Sequence, residues 1–219
     1  MACSCLLLAE DLIGIRSRLL IFIPESPFDL EECYEKVMDA KRENLNTILV
    51  VSEGIRNTKG KLINDNNEFD PLGRPKLGGV SSFLKEKIEV NTGVKSKYVT
   101  PSVWQRSNMA LASKTDLDEA YGLGKNAVSL ILDEVSGYMV CLQRELYTKK
   151  YKINFDKIEL KSVAGKEFTV PLSWYDQKNN IMTEQYKNYA MPIIQGEMVL
   201  PMNNGLPIYK RVISSIALS

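Results

Sequence analysis

Two side chains in this sequence stand where a phosphorylated ligand could be held. Arg106 ends the short WQR that follows the run Tyr98–Val103, and Glu53 comes just after the apolar run Thr47–Val51. Parallel α/β proteins bind ligands at the carboxyl ends of their strands, so both positions suit recognition. A guanidinium can hold a phosphate through a bidentate, charge-assisted pair of hydrogen bonds. A carboxylate beside flexible Gly54 can accept hydrogen bonds from sugar hydroxyls. Each residue also has a plainer reading. Arg106 could form a salt bridge to a nearby helix, and Ser52-Glu53-Gly54 could be an ordinary turn with an exposed acid. The two together, at the ends of two strands, make a stronger case than either alone.

Other chemistry is narrowed by what the chain contains. None of the 219 residues is a histidine, which excludes Ser-His and Cys-His nucleophilic pairs. Acid–base work must therefore come from carboxylates or lysines. Asp116 and Asp118 could pair for acid–base work or magnesium, but negative charge at a helix start already has a purpose against the helix dipole. The stretch GLGKNAV at 122–128 has glycine and lysine without the GxxxxGK[ST] spacing, and packing accounts for it. Cys3, Cys5, Cys33 and Cys141 show no CxxC spacing and, without a histidine, complete no zinc site. Cys33 and Cys141, among apolar neighbours, read as small buried hydrophobes in a reducing compartment.

The elements that must position these groups alternate along the chain. Leu19–Ile23 predicts a buried strand closed by Pro24. A helix follows over 29–44, with Asp29 and Glu32 as a capping box and Leu30, Cys33, Tyr34, Val37 and Met38 on its apolar face. Thr47–Val51 is the second strand, apolar on both faces. Residues 55–75 read as a long loop, and 78–92 as a helix ended by Gly93. Tyr98–Val103 predicts a third strand and Tyr138–Leu142 a fourth. Between them lies a helix over 115–135, capped by Thr115 with Asp118. Leu117, Ala120, Tyr121, Gly124, Ala127, Val128, Ile131, Leu132 and Val135 recur on it at helical spacing, as an inward stripe. Residues 149–180 are mixed and loop-rich, a last helix begins near Thr183, and Pro192 kinks or ends it. The tail reads as an extended arm. The fold class implied is α/β, a parallel sheet with helices on both faces.

Hydrophobic residues at 44%, charged residues at 25% and a net charge of +1 describe an ordinary globular chain without the basic footprint of a nucleic-acid binder. The amino end lacks a cationic start, and Glu10 and Asp11 interrupt its apolar run, against a signal peptide. No stretch approaches the ~20 apolar residues needed to span a bilayer. The expectation is a cytoplasmic protein with no membrane or nucleic-acid partner. The segment Ala2–Leu12 reads as the end of a helix whose preceding strand is not in the chain.

Taken in order, several motifs resemble the carboxyl-terminal half of the phosphofructokinase family, in its diphosphate-dependent branch. They are IPESPFDLEE at 23–32, VVSEGI at 50–55, FDPLGRPKLGGV at 69–80, WQR at 104–106, ASKTDLDEAYGLGKNAV at 112–128, GYMV at 137–140, PIIQGE at 192–197 and NGLPIY at 204–209. The resemblance implies that Glu53 and Arg106 bind fructose 6-phosphate, Arg106 at the 6-phosphate, with Val103, Trp104 and Gln105 completing the segment. Lys97 stands where the family usually has an arginine that reaches a neighbouring subunit's site. Lysine keeps the charge and loses the planar fork. Ala110 replaces the histidine of the branch's QRCAAH.

The resemblance also implies what must be supplied from elsewhere. The family's GGD, TIDND and MGR segments, with the catalytic aspartate, the phosphate-donor site and the magnesium ligands, have no match in this sequence. The expectation is therefore a sugar-phosphate domain over 1–148 and a loop-rich part over 149–219 that packs back on an absent donor-binding domain. The implied partners are fructose 6-phosphate, diphosphate only through a complementing amino-terminal half, and further subunits in a homo- or hetero-oligomer. Phosphoryl transfer depends on positioning and charge stabilisation, so the chain alone is expected to be inactive. A non-catalytic sugar-phosphate-binding or regulatory subunit, and a degenerate gene fragment, remain as alternatives.

Overall fold

A computed structural model describes residues 17–64, 71, 78–103, 107–145 and 150–208. It is a mixed α/β fold. Strands β1 (Ser17–Phe22) and β2 (Asn46–Val51) pair in parallel, from Ser17 opposite Asn46 to Phe22 opposite Val51. Helix α1 (Leu30–Arg42) makes the crossover between them. The Asp29 carboxylate caps it, accepting from the backbone N–H of Glu31 at 2.8 Å and of Glu32 at 3.1 Å. Helix α2 (Val80–Thr92) follows, entered through Gly79 and left through Gly93, both in the left-handed region. At Gly79 a side chain is excluded twice over: φ is +74°, and an added Cβ would lie 2.9 Å from the Asn64 amide nitrogen.

β1 is buried on both sides, which explains its unbroken apolar run. Leu20 and Phe22 join Phe28, Cys33, Tyr34, Val37, Ile55, Val80, Leu84 and Ile88 in a core with α1 and α2. Ile21 and Ile23 turn the other way, onto Tyr175 and Met182. This second face is covered by a small hairpin of β5 (Tyr175–Asp176) and β6 (Ile181–Met182), with Tyr186 from the last helix, α5 (Glu184–Ala190). The helices α1 and α2 thus lie on one face and a hairpin dominates the other. Asn180 fastens the hairpin to β1: its carbonyl accepts from the Ile21 N–H at 2.7 Å, while the Tyr175 hydroxyl donates to the Ile21 carbonyl at 2.7 Å.

The extended parallel sheet is not formed among the described residues, where every sheet has two strands. Tyr98–Val103 is not a strand. Pro101 removes an N–H donor, and Tyr98, Val99 and Val103 are exposed instead of packed into a core. The fourth expected strand exists as β3 (Tyr138–Arg144), but it pairs antiparallel with β4 (Ile153–Glu159), inside the stretch expected to be loop-rich. The short connection 145–152 permits an antiparallel return, whereas a parallel partner needs a longer crossover. A short helix, α4 (Leu160–Val163), follows β4. The tail forms a small hairpin of β7 (Met202–Asn203) and β8 (Leu206–Pro207).

Helix α3 (Lys114–Leu132) lies against the β3–β4 hairpin. Its cap is Ser113, not Thr115: Ser113 Oγ accepts from the Asp116 N–H at 3.1 Å. The same hydroxyl is within hydrogen-bonding distance of the Ile193 carbonyl at 2.5 Å and the Gln195 carbonyl at 3.0 Å, so tertiary contact fixes the helix start. Asp118 pairs with Lys114 at 2.5 Å along the helix. The stripe expected to face inward is also corrected. Tyr121, Val128, Ile131 and Leu132 are exposed, and the buried residue of this helix is Glu119. The helix seats on its Gly122 side, where an added Cβ would fall 2.1 Å from the Phe155 ring.

Candidate functional site

Glu53 stands just past the carboxyl end of β2, half-buried, as its place in the sequence requires. One carboxylate oxygen lies 3.4 Å from the Val80 N–H, at the first residue of α2. Gly79 offers no side chain to cap that helix, so a carboxylate from the neighbouring strand end complements the positive end of its dipole. The acid is therefore tethered at a helix start. This capping role was missed in the sequence. Its signal was the pair Gly78-Gly79, which leaves a helix without a local cap.

Trp104, Gln105 and Arg106 lie outside the described residues. Val103, just before them, is exposed, and its carbonyl accepts from the Ser107 N–H at 3.0 Å and the Ser107 hydroxyl at 2.9 Å. Ser102 has a φ of +46°, so the chain turns sharply where a strand was expected. Nothing is described of the Ala110 side chain.

Lys97 is exposed at the mouth of a cavity of about 580 Å³, lined also by Lys85, Glu89, Val94, Lys95 and Ser96. Glu89 organises this rim. It accepts from Lys85 Nζ at 2.6 Å and from the Ser96 N–H at 2.9 Å. The Lys85 hydrogen bond, followed by that of Ser96, holds the Glu89 carboxyl below the usual carboxylate range. The segment carrying Lys95 and Lys97 is thereby tied to the carboxyl end of α2. Glu53 sits at the amino end of that same helix. Thirteen helical residues span about 20 Å, so α2 separates Glu53 from Lys97 within one chain.

A second group of polar side chains joins α3, the β3–β4 hairpin and α5. Arg144 donates to the carbonyls of Tyr189 at 2.9 Å and Asn188 at 3.1 Å, and its guanidinium lies over the rings of Tyr151 and Tyr189. Burial, then a hydrogen bond to Glu119, pushes the Tyr151 hydroxyl up to about 12. These contacts complement the carboxyl end of α5 and have a structural purpose. Among the described residues no group of three or more His, Cys, Asp or Glu side chains is gathered to hold a metal. The described residues therefore do not fit a magnesium site. Among them, too, no helix is long and apolar enough to cross a membrane.

No family model matches the chain. Individual proteins do. It is 34% identical over 188 residues to the pyrophosphate–fructose 6-phosphate 1-phosphotransferase of Halomonas elongata, covering 86% of this chain and 45% of that protein. The enzyme of the same name from Methylococcus capsulatus is 31% identical over 191 residues, again 45% of its length. The crystal structure of a pyrophosphate-dependent phosphofructokinase from Nitrosospira multiformis superposes with a TM-score of 0.73 at 27% identity, over 89% of this chain and 45% of that one. This chain is related to the pyrophosphate-dependent phosphofructokinases. A second member from Marinobacter aquaeolei, at 22% identity and a TM-score of 0.72, supports the likeness of fold. The relationship is partial, since the chain spans about half the length of the phosphofructokinases it matches.

Proposed function

We propose that the chain is the carboxyl-terminal, fructose 6-phosphate-receiving part of a diphosphate-dependent 6-phosphofructokinase. The observation that carries this reading is Glu53, fixed at a strand end against a helix start, in a chain related to these enzymes over about 45% of their length. Glu53 accepts from the sugar hydroxyls, Arg106 grips the 6-phosphate as a planar fork, and Val103, Trp104 and Gln105 shape the approach. Lys97, a helix length from Glu53, serves the site of a neighbouring copy. Residues 1–148 hold the sugar phosphate, and 149–219 return toward the donor-binding part. That donor-binding part brings the base for the 1-hydroxyl, the diphosphate and its magnesium.

Calorimetric titration of the full chain with fructose 6-phosphate tests the reading. Binding is expected, weakened roughly tenfold to a hundredfold in Arg106→Ala, the value of a charge-assisted contact. Glu53→Ala weakens it too. No binding at millimolar sugar phosphate would sink the proposal. Turnover by the purified chain alone, with fructose 6-phosphate, diphosphate and magnesium, would refute its incompleteness.

A further inference from the structure

Glu89 is an acid near the carboxyl end of α2, where the helix dipole favours bases, and the last turn of that helix holds no base. Its two oxygens have separate partners. One accepts from Lys85 Nζ at 2.6 Å, a helical turn back, and the other from the Ser96 N–H at 2.9 Å, beyond the end of the helix. Lys85 offsets the misplaced charge, which leaves the second oxygen to hold the chain that follows. The bonds from Lys85 and Ser96 keep the carboxyl below the usual carboxylate range, so it is ionised at neutral pH.

The rest of the turn closes around this tether. Gly93, left-handed at a φ of +65°, reverses the chain, and its N–H donates to the Glu89 carbonyl at 3.1 Å. Thr92 Oγ1 accepts from the Val94 N–H at 3.2 Å and donates to the Ile88 carbonyl at 2.6 Å. Ser96 Oγ donates to the Val94 carbonyl at 3.1 Å. Ile88 is buried in the core, so the end of α2 is a firm anchor. Residues 93–100 lie in no helix or strand, and these bonds fix the backbone up to the residue before Lys97.

We infer that Glu89 is a positioning residue for Lys97, holding the turn that presents its ammonium to a sugar phosphate. The inference rests on the proposed function and adds to it the group that sets the backbone beneath Lys97. A lysine brings one point charge on a flexible stem, without the planar fork of an arginine. Fixing its backbone beforehand removes part of the ordering that binding must otherwise supply. Glu89 therefore acts on the ligand only through Lys97.

The test is calorimetric titration of the full chain with fructose 6-phosphate, in the native protein, Glu89→Ala, Glu89→Gln, Lys97→Ala and the double alanine variant. Glu89→Ala should weaken binding about fivefold, the value of one net hydrogen bond. Glu89→Gln, whose amide oxygen still accepts from Ser96, should stay within about twofold of native. In the Lys97→Ala background, Glu89→Ala should have no further effect, because the two residues act as a unit. An equal loss in both backgrounds would overturn the inference, since a general structural role behaves that way. Native affinity in Glu89→Ala would overturn it too, as would a Glu89→Gln variant as weak as Glu89→Ala.

Amide hydrogen exchange at Ser96, followed by nuclear magnetic resonance without ligand, reads the tether by itself. Exchange should be slow in the native chain and in Glu89→Gln, and about tenfold faster in Glu89→Ala. Equal rates in all three would overturn the inference. The two readings fail separately. Absence of sugar binding in the native chain removes the proposed function and, with it, the ligand assigned to Lys97, whereas a sugar affinity indifferent to Glu89 removes this inference alone.

Discussion

Asn180 shows how much one side chain can organise without touching a ligand. It is buried, its backbone is left-handed at a φ of +53°, and its amide nitrogen donates to the Tyr175 hydroxyl at 2.8 Å. Its amide oxygen accepts from Lys36, which also donates to the Lys178 carbonyl at 2.9 Å. Asn180→Ala should cost about 2–3 kcal/mol in urea unfolding, because buried partners are left unpaired. Asn180→Gly should lose less, by up to about 1 kcal/mol, since glycine keeps the left-handed backbone at no steric cost. Equal losses would mean that the backbone geometry contributes nothing. Cys33 gives a pH-dependent case. Burial pushes its thiol from 9.0 up to about 12. A folded value above the unfolded one stabilises at lower pH, and that contribution is lost as pH rises from about 9 to about 12. Alkylation by iodoacetamide at pH 8 should therefore leave Cys33 unmodified until the chain unfolds. The inert thiol was legible from its apolar neighbours. The place of Asn180 was not, because its partners Ile21 and Lys36 are far away in sequence.

At the scale of elements, local signals were reliable where the partner was local too. Asp29 caps α1, Gly93 ends α2 and Pro192 follows the end of α5, each within a few residues of the backbone it serves. The start of α3 differs because two candidates, Ser113 and Thr115, compete, and residues 193–196 decide between them. Besides the Ser113 hydroxyl contacts, the Lys114 N–H donates to the Gly196 carbonyl at 3.0 Å and the Thr115 N–H to that of Gln195 at 3.3 Å. Gly196 has a φ of +96°, and an added Cβ there would meet Lys114 Cβ at 2.9 Å, so the clasp is close. Ser113→Ala should cost about 1–2 kcal/mol, a cap together with a tertiary hydrogen bond. Thr115→Ala should cost little. Thermal unfolding of the two variants checks this, and the reverse order would return the cap to Thr115. The strand expected at Tyr98–Val103 failed for a related reason. A strand needs a neighbouring edge, and apolar residues alone do not supply one.

The whole molecule was legible as α/β because β1 is buried on both faces and β2 packs half-buried beside it, and an unbroken apolar run is the trace of that packing. The sequence did not reveal that the apolar stripe on α3 faces outward, since periodicity marks a face without saying what covers it. The candidate site follows the same division. Glu53 was legible at its strand end, whereas its separation from Lys97 depends on the direction of α2, which only the fold supplies. That separation leads to a prediction about assembly. If Lys97 serves a neighbouring copy, each complete site takes Glu53 from one chain and Lys97 from another. Glu53→Ala and Lys97→Ala would each weaken fructose 6-phosphate binding when tested singly. After the two are mixed through a dissociation and reassociation step, a hybrid pair has one site with both native residues and one with neither. Random pairing makes half of the dimers hybrid, so about a quarter of all sites should recover native affinity by calorimetry. If the two residues acted in the same chain's site, every site in the mixture would lack one of them, and no affinity would return.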